Sequence, residues 1–250
     1  MKENNNWKKS DERAEIAKKH IREMEQKYSK EIEFSVENTI EYPHYPHKEK
    51  IIIDDLDSVS AIFKYYSGKT ALLNFASYVS PGGGFIRGTL AQEEDLCHKS
   101  TLYNVLSQFQ DSFYEPNKKY LNRQLYENKA LYNKDILFIQ DNRKLKCDVI
   151  TCAAPDYRKA KHEVTYKENL DVLESRIKFI IDIAEEQKVE TLILGAFGCG
   201  AFGQDPNKVA PLFKKHLKKY LSESEHIETI IFAIPDRNSS NYITFKRVFS

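Results

Sequence analysis

Short apolar runs alternate with longer amphipathic segments along most of this 250-residue chain. The runs predict strands at 51–53, 70–75, 136–139, 149–153, 191–196 and 229–234. The segments between them predict helices that cover 59–66, 93–109 and 168–187, and one that begins near Pro206. Strands that alternate with helices of about 10 to 18 residues favour a largely parallel sheet covered on both faces, with binding sites beyond the carboxyl ends of the strands. The sequence therefore predicts an α/β fold.

The N-terminal region adds an extension to this pattern. We expect residues 1–9 to be disordered and residues 10–68 to pack on the core. Ser10 can cap an amphipathic helix. Its predicted inner face carries Ile16, His20 and Met24. An alternation of apolar residues over 32–36 predicts a half-buried strand after this helix.

The size and charge of the chain limit its organisation and its partners. No segment has the composition of a linker, so residues 1–250 are expected to form one domain, and we expect a monomer. The formal net charge is +1, so affinity for a polyanion would have to come from a local group of cations. The longest apolar stretch, 191–197, is too short to span a bilayer, and residues 1–6 lack a signal-peptide core. We therefore expect no membrane contact and an intracellular location, cytoplasmic or, in a eukaryote, nuclear.

The cysteines indicate no zinc site and no disulfide framework. The chain has four of them, and none forms a C-x-x-C pair. We expect buried free thiols at Cys97, Cys147, Cys152 and Cys199.

Two adjacent carboxylates, Glu93 and Glu94, follow a short glycine run. The run consists of Gly82, Gly83 and Gly84. Such a run lets the backbone approach a ligand closely, and two neighbouring carboxylates are not both stable as anions where water is excluded. The segment indicates acid/base chemistry on a glycosidic or phosphoryl ligand. A flexible turn followed by an acidic helix start is the alternative interpretation.

A second glycine-rich loop follows the strand predicted at 191–196. Its residues are Gly198, Cys199, Gly200, Ala201, Phe202 and Gly203. Successive N–H groups in such a loop, backed by a helix start, can hold an anion such as a diphosphate. The loop matches neither the G-x-G-x-x-G fingerprint of dinucleotide-binding folds nor the phosphate loop of nucleoside triphosphatases. A tight turn that requires positive φ is the alternative interpretation.

These blocks together resemble the poly(ADP-ribose) glycohydrolases of the compact microbial type. The resemblance is carried by Leu73-Asn74-Phe75-Ala76, by Pro81-Gly82-Gly83-Gly84 with Gln92-Glu93-Glu94 after seven residues, and by Ser100-Thr101-Leu102-Tyr103. The second loop is similar to the family's diphosphate-binding loop, and 232–234 to its last core strand. The spacing of the glycines and Gln92-Glu93-Glu94 is highly specific, and the similarity extends from about residue 10 to 236.

The resemblance implies a macrodomain-like fold, in which three layers, α/β/α, surround a mixed, largely parallel sheet. It also implies that Glu94 is the catalytic acid at the ribose–ribose bond, while Glu93 holds neighbouring ribose hydroxyls. The implied substrate-binding residues are Asn74, Gly82, Gly83, Gly84, Gln92, Gly198, Cys199, Gly200, Ala201, Phe202 and Phe232. Among these, Asn74 would bind the distal ribose, Phe202 would pack on a ribose, and Phe232 would belong to the adenine-binding region at 232–237. The implied chemistry needs no cofactor and no metal.

The predicted function is hydrolysis of poly(ADP-ribose) at polymer ends, with ADP-ribose as the product ligand. One carboxylate can protonate the leaving oxygen and then deprotonate the attacking water. The sequence is also compatible with two other functions. The first is removal of single ADP-ribose groups from protein or nucleic acid, and the second is non-catalytic binding of ADP-ribose.

Overall fold

The computed structural model describes residues 2–39, 50–220 and 226–250. They contain a six-stranded sheet with the spatial order β1-β6-β5-β2-β4-β3, in which only the β3–β4 pair is antiparallel. The strands are β1 (Lys50–Asp54), β2 (Thr70–Phe75), β3 (Ala130–Gln140), β4 (Arg143–Cys152), β5 (Thr191–Leu194) and β6 (Thr229–Ala233). The mixed, largely parallel sheet predicted from the sequence is confirmed.

Helices cover both faces of this sheet. They are α1 (Lys2–Glu37), α2 (Ser58–Tyr65), α3 (Gln92–His98), α4 (Leu102–Leu106), α5 (Glu115–Lys119), α6 (Tyr157–Ala160), α7 (Tyr166–Glu186), α8 (Pro206–Tyr220) and α9 (Ser240–Phe249). Within the described ranges, none of them is both long and apolar enough to cross a bilayer.

Two apolar cores separate the three layers. Alternate residues of a strand point to opposite faces of a sheet, so neighbours on β5 enter different cores. Leu192 packs with α7, α8 and α9, whereas Ile193 packs with α1 to α4. The four cysteines carry free thiols, as expected, and all but the half-buried Cys199 are buried.

Helix α1 corrects several expectations for the N-terminal region. It begins at Lys2, so residues 2–9 are helical and Ser10 does not cap it. The Ser10 hydroxyl instead donates to the carbonyl of Arg87 at 3.0 Å. Ile16 is 59% exposed, and Ala17 is buried in its place.

The prediction of a strand at 32–36 was wrong, because α1 bends at Tyr28 and then continues through these residues. Ile32 and Ser35 are buried while Phe34 is exposed. Ile32 and Ser35 are three residues apart, which is the spacing of one face of a helix. The alternation of apolar residues in the sequence indicated a strand instead.

The helix predicted at 93–109 is divided, since α3 ends at His98 and α4 starts at Leu102. Ser100 interrupts it by forming an isolated bridge with Phe138 of β3. The segment 109–134, expected to be an ordered insertion, consists of short helical turns up to Gln124 and then the start of β3.

Candidate active site

The first turn of α3 is fastened to the carboxyl end of β2 by Gln92. Its amide oxygen accepts the N–H of Phe75 at 2.8 Å, and its amide nitrogen donates to the carbonyl of Leu73 at 2.8 Å. These bonds continue the hydrogen-bonding pattern of the strand into the helix. They place the two glutamates that follow Gln92 against the end of the sheet.

Glu93 lies in a buried pocket of hydrogen-bond donors. Its side chain accepts the amide of Asn74 at 3.1 Å on one oxygen and the N–H of Ser77 at 2.7 Å on the other, and the residue is 3% exposed. Burial raises the pKa of Glu93 to about 8, although the two donors act in the opposite direction. Loss of hydration is therefore the largest influence on this carboxyl group.

Glu94 is held by the glycine run. One carboxylate oxygen accepts the N–H of Gly84 at 2.7 Å, and the residue is 5% exposed. The backbone of Gly82 and Gly83 has φ of +64° and +60°, the left-handed region that glycine adopts without cost. This turn aims the Gly84 N–H at Glu94.

Gly83 lies against both carboxylates. A Cβ atom at this position would lie 2.8 Å from Glu94 Oε1 and 2.9 Å from Glu93 Oε2, and both distances are shorter than real Cβ contacts. The two oxygens therefore meet at one point beside the backbone of the turn. The close approach expected from the sequence is made first to the carboxylates themselves.

A chain of polar groups runs from Asn74 to the N-terminal helix. The Asn74 amide is 3.4 Å from the hydroxyl of Thr151, which donates to Asn133 at 3.3 Å. Asn133 in turn donates to Thr39 at 2.8 Å, just beyond α1. Asn74 is fully buried, and among the described residues its amide oxygen finds no partner. The structure thus engages Asn74 with Glu93 and the protein interior.

The second glycine-rich loop presents unpaired backbone N–H groups. Gly198 has φ of +75°, and its carbonyl accepts the N–H of Gln204 at 3.0 Å, which closes the loop. Across the described part of the chain, the N–H groups of Gly200, Ala201 and Phe202 make no backbone hydrogen bond. Such an arrangement suits an anion.

Buried side chains fix the base of this loop. The amides of Gln204 and Asn169 exchange two hydrogen bonds of 2.9 Å, and Gln204 also donates to the carbonyl of Pro155 at 2.8 Å. Each amide bonds to its partner, so direct side-chain hydrogen bonds anchor the base of the loop.

Arg176 of α7 braces the segments beneath the site. The residue is fully buried, and it donates to Asn128 at 2.7 Å, to the carbonyl of Leu125 at 3.4 Å and to the carbonyl of Ala153. Tyr126, next to one of these carbonyls, contacts Phe202 edge to face at 6.2 Å between ring centroids. Arg176 therefore supports one wall of the second loop.

A cleft of about 570 Å³ lies between the two loop regions, a volume typical of small-molecule sites. One wall is formed by Leu90, Ala91, Gln92 and Asp95, and the other by Gly198, Gly200, Ala201 and Phe202. Its far end is lined by Ala233, Ile234, Pro235, Ser239 and Asn241. Asp57 and Ser58 also line the cleft and adjoin the first wall, since Ser58 accepts from the Gln92 amide at 3.1 Å. The cleft lies at the carboxyl ends of the parallel strands, where the sequence predicted a site.

The predicted site residues that line the cleft are Gln92, Gly198, Gly200, Ala201 and Phe202. Glu93, Glu94, Asn74 and the glycine run Gly82 to Gly84 are not among its lining residues, and the two glutamates and Asn74 are buried beside its wall at Gln92. Three predicted residues have other surroundings than expected. Phe232 is fully buried among Phe213 and Phe245 and is not among the residues that line the cleft, so its expected adenine contact has no support in this geometry. The thiol of Cys199 contacts the carbonyl of Phe197, and burial raises its pKa to about 12. Gln92 reaches the cleft, but its amide is used by β2.

Sequence reasoning missed several residues of the site. Ser77 supplies a donor to Glu93 through its backbone, for which the sequence carries no signal. Asp57 and Asn241 line the cleft, and both lie shortly after strands of the parallel sheet. A search for polar residues after each strand would have found them.

The arrangement supports proton transfer beside an anion site. Burial raises the pKa of Glu93 to about 8, so the first turn of α3 holds a carboxyl group that can exchange a proton near neutral pH, with a second carboxyl group beside it. The loop of free N–H groups provides anion binding across the cleft. A carboxyl group for proton transfer and a loop for an anion, on the two sides of one cleft, suit a ligand that has a sugar and a diphosphate.

Comparisons with known proteins agree with this geometry. Residues 3–141, more than half of the chain, match the family model of the microbial-type PARG catalytic domain, where PARG denotes poly(ADP-ribose) glycohydrolase. A comparison with curated proteins gave no match.

Solved structures of bacterial enzymes share the fold. Poly(ADP-ribose) glycohydrolase from Thermomonospora curvata, bound to the inhibitor ADP-HPD, is 25% identical with a TM-score of 0.83, and the alignment covers 94% of this chain and 98% of that chain. A glutamate-to-alanine mutant from the same organism is 25% identical with a TM-score of 0.84, covering 95% and 99%. The enzyme from Deinococcus radiodurans in complex with ADP-ribose is 24% identical with a TM-score of 0.78, covering 87% and 96%, and supports the fold.

Proposed function

Because this chain belongs to the microbial-type poly(ADP-ribose) glycohydrolase family and is therefore a glycosidase, we propose that it hydrolyses ribose–ribose bonds at polymer ends. The product is ADP-ribose. One observation carries the assignment of the chemistry: Glu94 is buried and held at 2.7 Å by the N–H of Gly84, in a turn whose Gly83 backbone lies against both carboxylates.

Glu94 is the general acid and base of the proposed reaction. As the bond between the distal ribose carbon and the leaving oxygen breaks, the carboxyl proton of Glu94 passes to that oxygen. The sugar carbon acquires oxocarbenium character, and the Glu94 carboxylate then takes a proton from the attacking water. The fixed hydrogen bond from Gly84 leaves the second carboxylate oxygen for this transfer.

Glu93 positions the sugar in this mechanism. With a pKa of about 8, Glu93 is protonated at neutral pH, so it can donate one hydrogen bond to a ribose oxygen and, beyond the bonds from Asn74 and Ser77, still accept from a ribose hydroxyl. Asn74 acts by holding Glu93, and its amide oxygen, which has no partner among the described residues, is a further acceptor beside Glu93.

The second loop binds the diphosphate. Three N–H groups between Gly200 and Phe202 are available for phosphate oxygens, and Phe202 lines the cleft where the adjoining ribose would lie. The adenine occupies the end lined by Ala233 to Pro235. Both glutamates and both loops belong to one chain, so we propose that a monomer is sufficient for activity.

Substrate comparison tests this function. Purified enzyme is incubated with poly(ADP-ribose), with protein carrying single ADP-ribose groups and with DNA carrying single ADP-ribose groups, and ADP-ribose is measured by mass spectrometry. We expect release of ADP-ribose from the polymer. Release only from the singly modified substrates would replace this function with mono-ADP-ribosyl hydrolysis, and binding of polymer without release would indicate a non-catalytic binding protein.

A further inference from the structure

Helices α8 and α9 carry an unusual concentration of positive charge. Neither helix contains an aspartate or a glutamate. Among the cations of these helices whose side chains the structure describes, six are exposed: Lys208, Lys214, Lys215, Lys218, Lys246 and Arg247. The whole chain has 38 basic and 37 acidic residues, so this imbalance is local rather than general.

The cations of the two helices form one surface. Arg247 of α9 donates to Asn207 of α8 at 2.7 Å, and Lys214 of α8 donates to the carbonyl of Val248 on α9. These contacts bring the end of α9 beside the first half of α8. We call the exposed cations of these two helices the basic face.

Most of the basic face is not neutralised by carboxylates. Lys215 pairs with Glu174 at 2.5 Å. Counting only partners within residues 10–39, 51–218 and 226–250, the other five cations take part in no ion pair. Their charge is therefore available to an outside partner.

The basic face adjoins the cleft. Ser239, the N-cap of α9, and Asn241 in its first turn both line the cleft. Helix α8 starts three residues after the second glycine-rich loop ends at Gly203. Ten helical residues span about 15 Å, so the face extends roughly this distance from the rim of the cleft along α9.

We propose that the basic face binds poly(ADP-ribose) units that lie outside the cleft. This inference rests on the proposed function, because it takes the occupant from the substrate of the adjoining site. Each unit of the polymer carries a diphosphate, and lysine ammonium groups bind phosphate as flexible point charges. The rest of the polymer leaves the cleft at the cleaved bond beside Glu94, so it reaches this face by folding back over the rim. A long polymer can do this and then presents further diphosphates to the face, which raises its affinity with little sequence or shape requirement.

A pair of matched variants tests the proposal. The first carries Lys208→Gln, Lys218→Gln and Lys246→Gln, which avoids the cations that link the two helices. The control carries Lys19→Gln, Lys27→Gln and Lys30→Gln on α1, which removes the same charge from another surface. Steady-state hydrolysis is measured on long polymer and on a dimer of ADP-ribose, over a series of salt concentrations, and melting temperatures verify folding.

We expect the basic-face variant to raise KM for long polymer about tenfold at low salt, since exposed ion pairs contribute modestly and additively. The turnover number and hydrolysis of the dimer should stay unchanged, and the salt dependence of KM should weaken. The control variant should keep the KM of the unaltered enzyme. If the triple variant melts at a much lower temperature than the unaltered enzyme, the double variant Lys208→Gln with Lys246→Gln replaces it. We then expect a smaller rise in KM for long polymer.

Three results would overturn the proposal. These are an unchanged KM for long polymer, an equal rise in the control, and displacement of labelled polymer by duplex DNA at lower concentration than by unlabelled polymer. The last result would assign the face to nucleic acid. Absence of ADP-ribose release by the unaltered enzyme, on any polymer, would instead refute the proposed function.

Discussion

Replacement of Gly83 by alanine tests how closely the glycine turn is built around the two carboxylates. The φ of +60° at Gly83 costs alanine roughly 1–2 kcal/mol. The added methyl group would lie 2.8 Å from Glu94 Oε1 and 2.9 Å from Glu93 Oε2. At least one carboxylate must therefore move by a few tenths of an ångström.

These two effects set the expected magnitudes. For a chain of this length, a loss of 1–2 kcal/mol lowers the melting temperature by roughly 2–8 °C. A displacement of 1 Å in a reacting group costs about 10²-fold in rate, so a shift of a few tenths of an ångström should lower kcat about 4- to 10-fold. The two losses are independent, because one reflects the backbone and the other reflects the position of the carboxylates.

The assay combines thermal unfolding with the rate of ADP-ribose release from polymer. Gly200→Ala is the matched control for stability, since Gly200 lies in the other loop and a Cβ there would have no atom within 4 Å. We expect this control to melt at or above the temperature of the unaltered protein. A Gly83→Ala enzyme with an unaltered rate and melting temperature would show that the turn does not constrain the carboxylates as described.

Three further predictions concern groups around the site. The folded protein keeps Glu93 protonated up to about pH 8, whereas the unfolded chain ionises this group near its ordinary pKa of 4.5. The free energy of unfolding should therefore fall as the pH rises between these values. Glu93→Gln should flatten this slope in urea titrations at pH 5 to 8. Asn74→Ala removes the donor that lies 3.1 Å from Glu93, so it should lower kcat roughly tenfold with a smaller effect on KM. An effect on KM alone would assign Asn74 to substrate binding instead. Arg176→Met leaves the buried oxygens of Asn128, Leu125 and Ala153 without their donor. It should lower the free energy of unfolding by about 3 kcal/mol or more in urea titration. A loss below about 0.5 kcal/mol would mean that those oxygens find other partners.

The alternation of apolar runs and helices was enough to predict the sheet and the end at which the site lies. Strands of a parallel sheet are buried on both faces, however, so their sequence does not reveal which residue faces a ligand. Phe232 illustrates this limit, because its ring enters the core while the next residues, from Ala233, line the cleft. A different limit applies at 32–36, where apolar residues alternate as in a half-buried strand although Phe34 lies on the exposed side of a helix.

Other parts of the site depend on contacts between distant residues. The glycine run and the two glutamates are visible in the sequence, but the donation from Ser77 to Glu93 uses a backbone group and appears only in the fold. The polar chain from Asn74 through Thr151 to Asn133 joins three strands. Residue type and spacing cannot predict such a chain, since each member reads as an ordinary polar residue of a strand.

The central claim is that Glu94 transfers the proton during cleavage, and Glu94→Gln tests it most directly. Glutamine keeps the size of the side chain and removes the ionisable proton. We predict that ADP-ribose release from polymer falls at least about 10²-fold, while calorimetric affinity for ADP-ribose stays within about threefold. Glu163→Gln, at an exposed position, is the matched control and should retain the full rate. Release of ADP-ribose by Glu94→Gln at the unaltered rate would contradict the account.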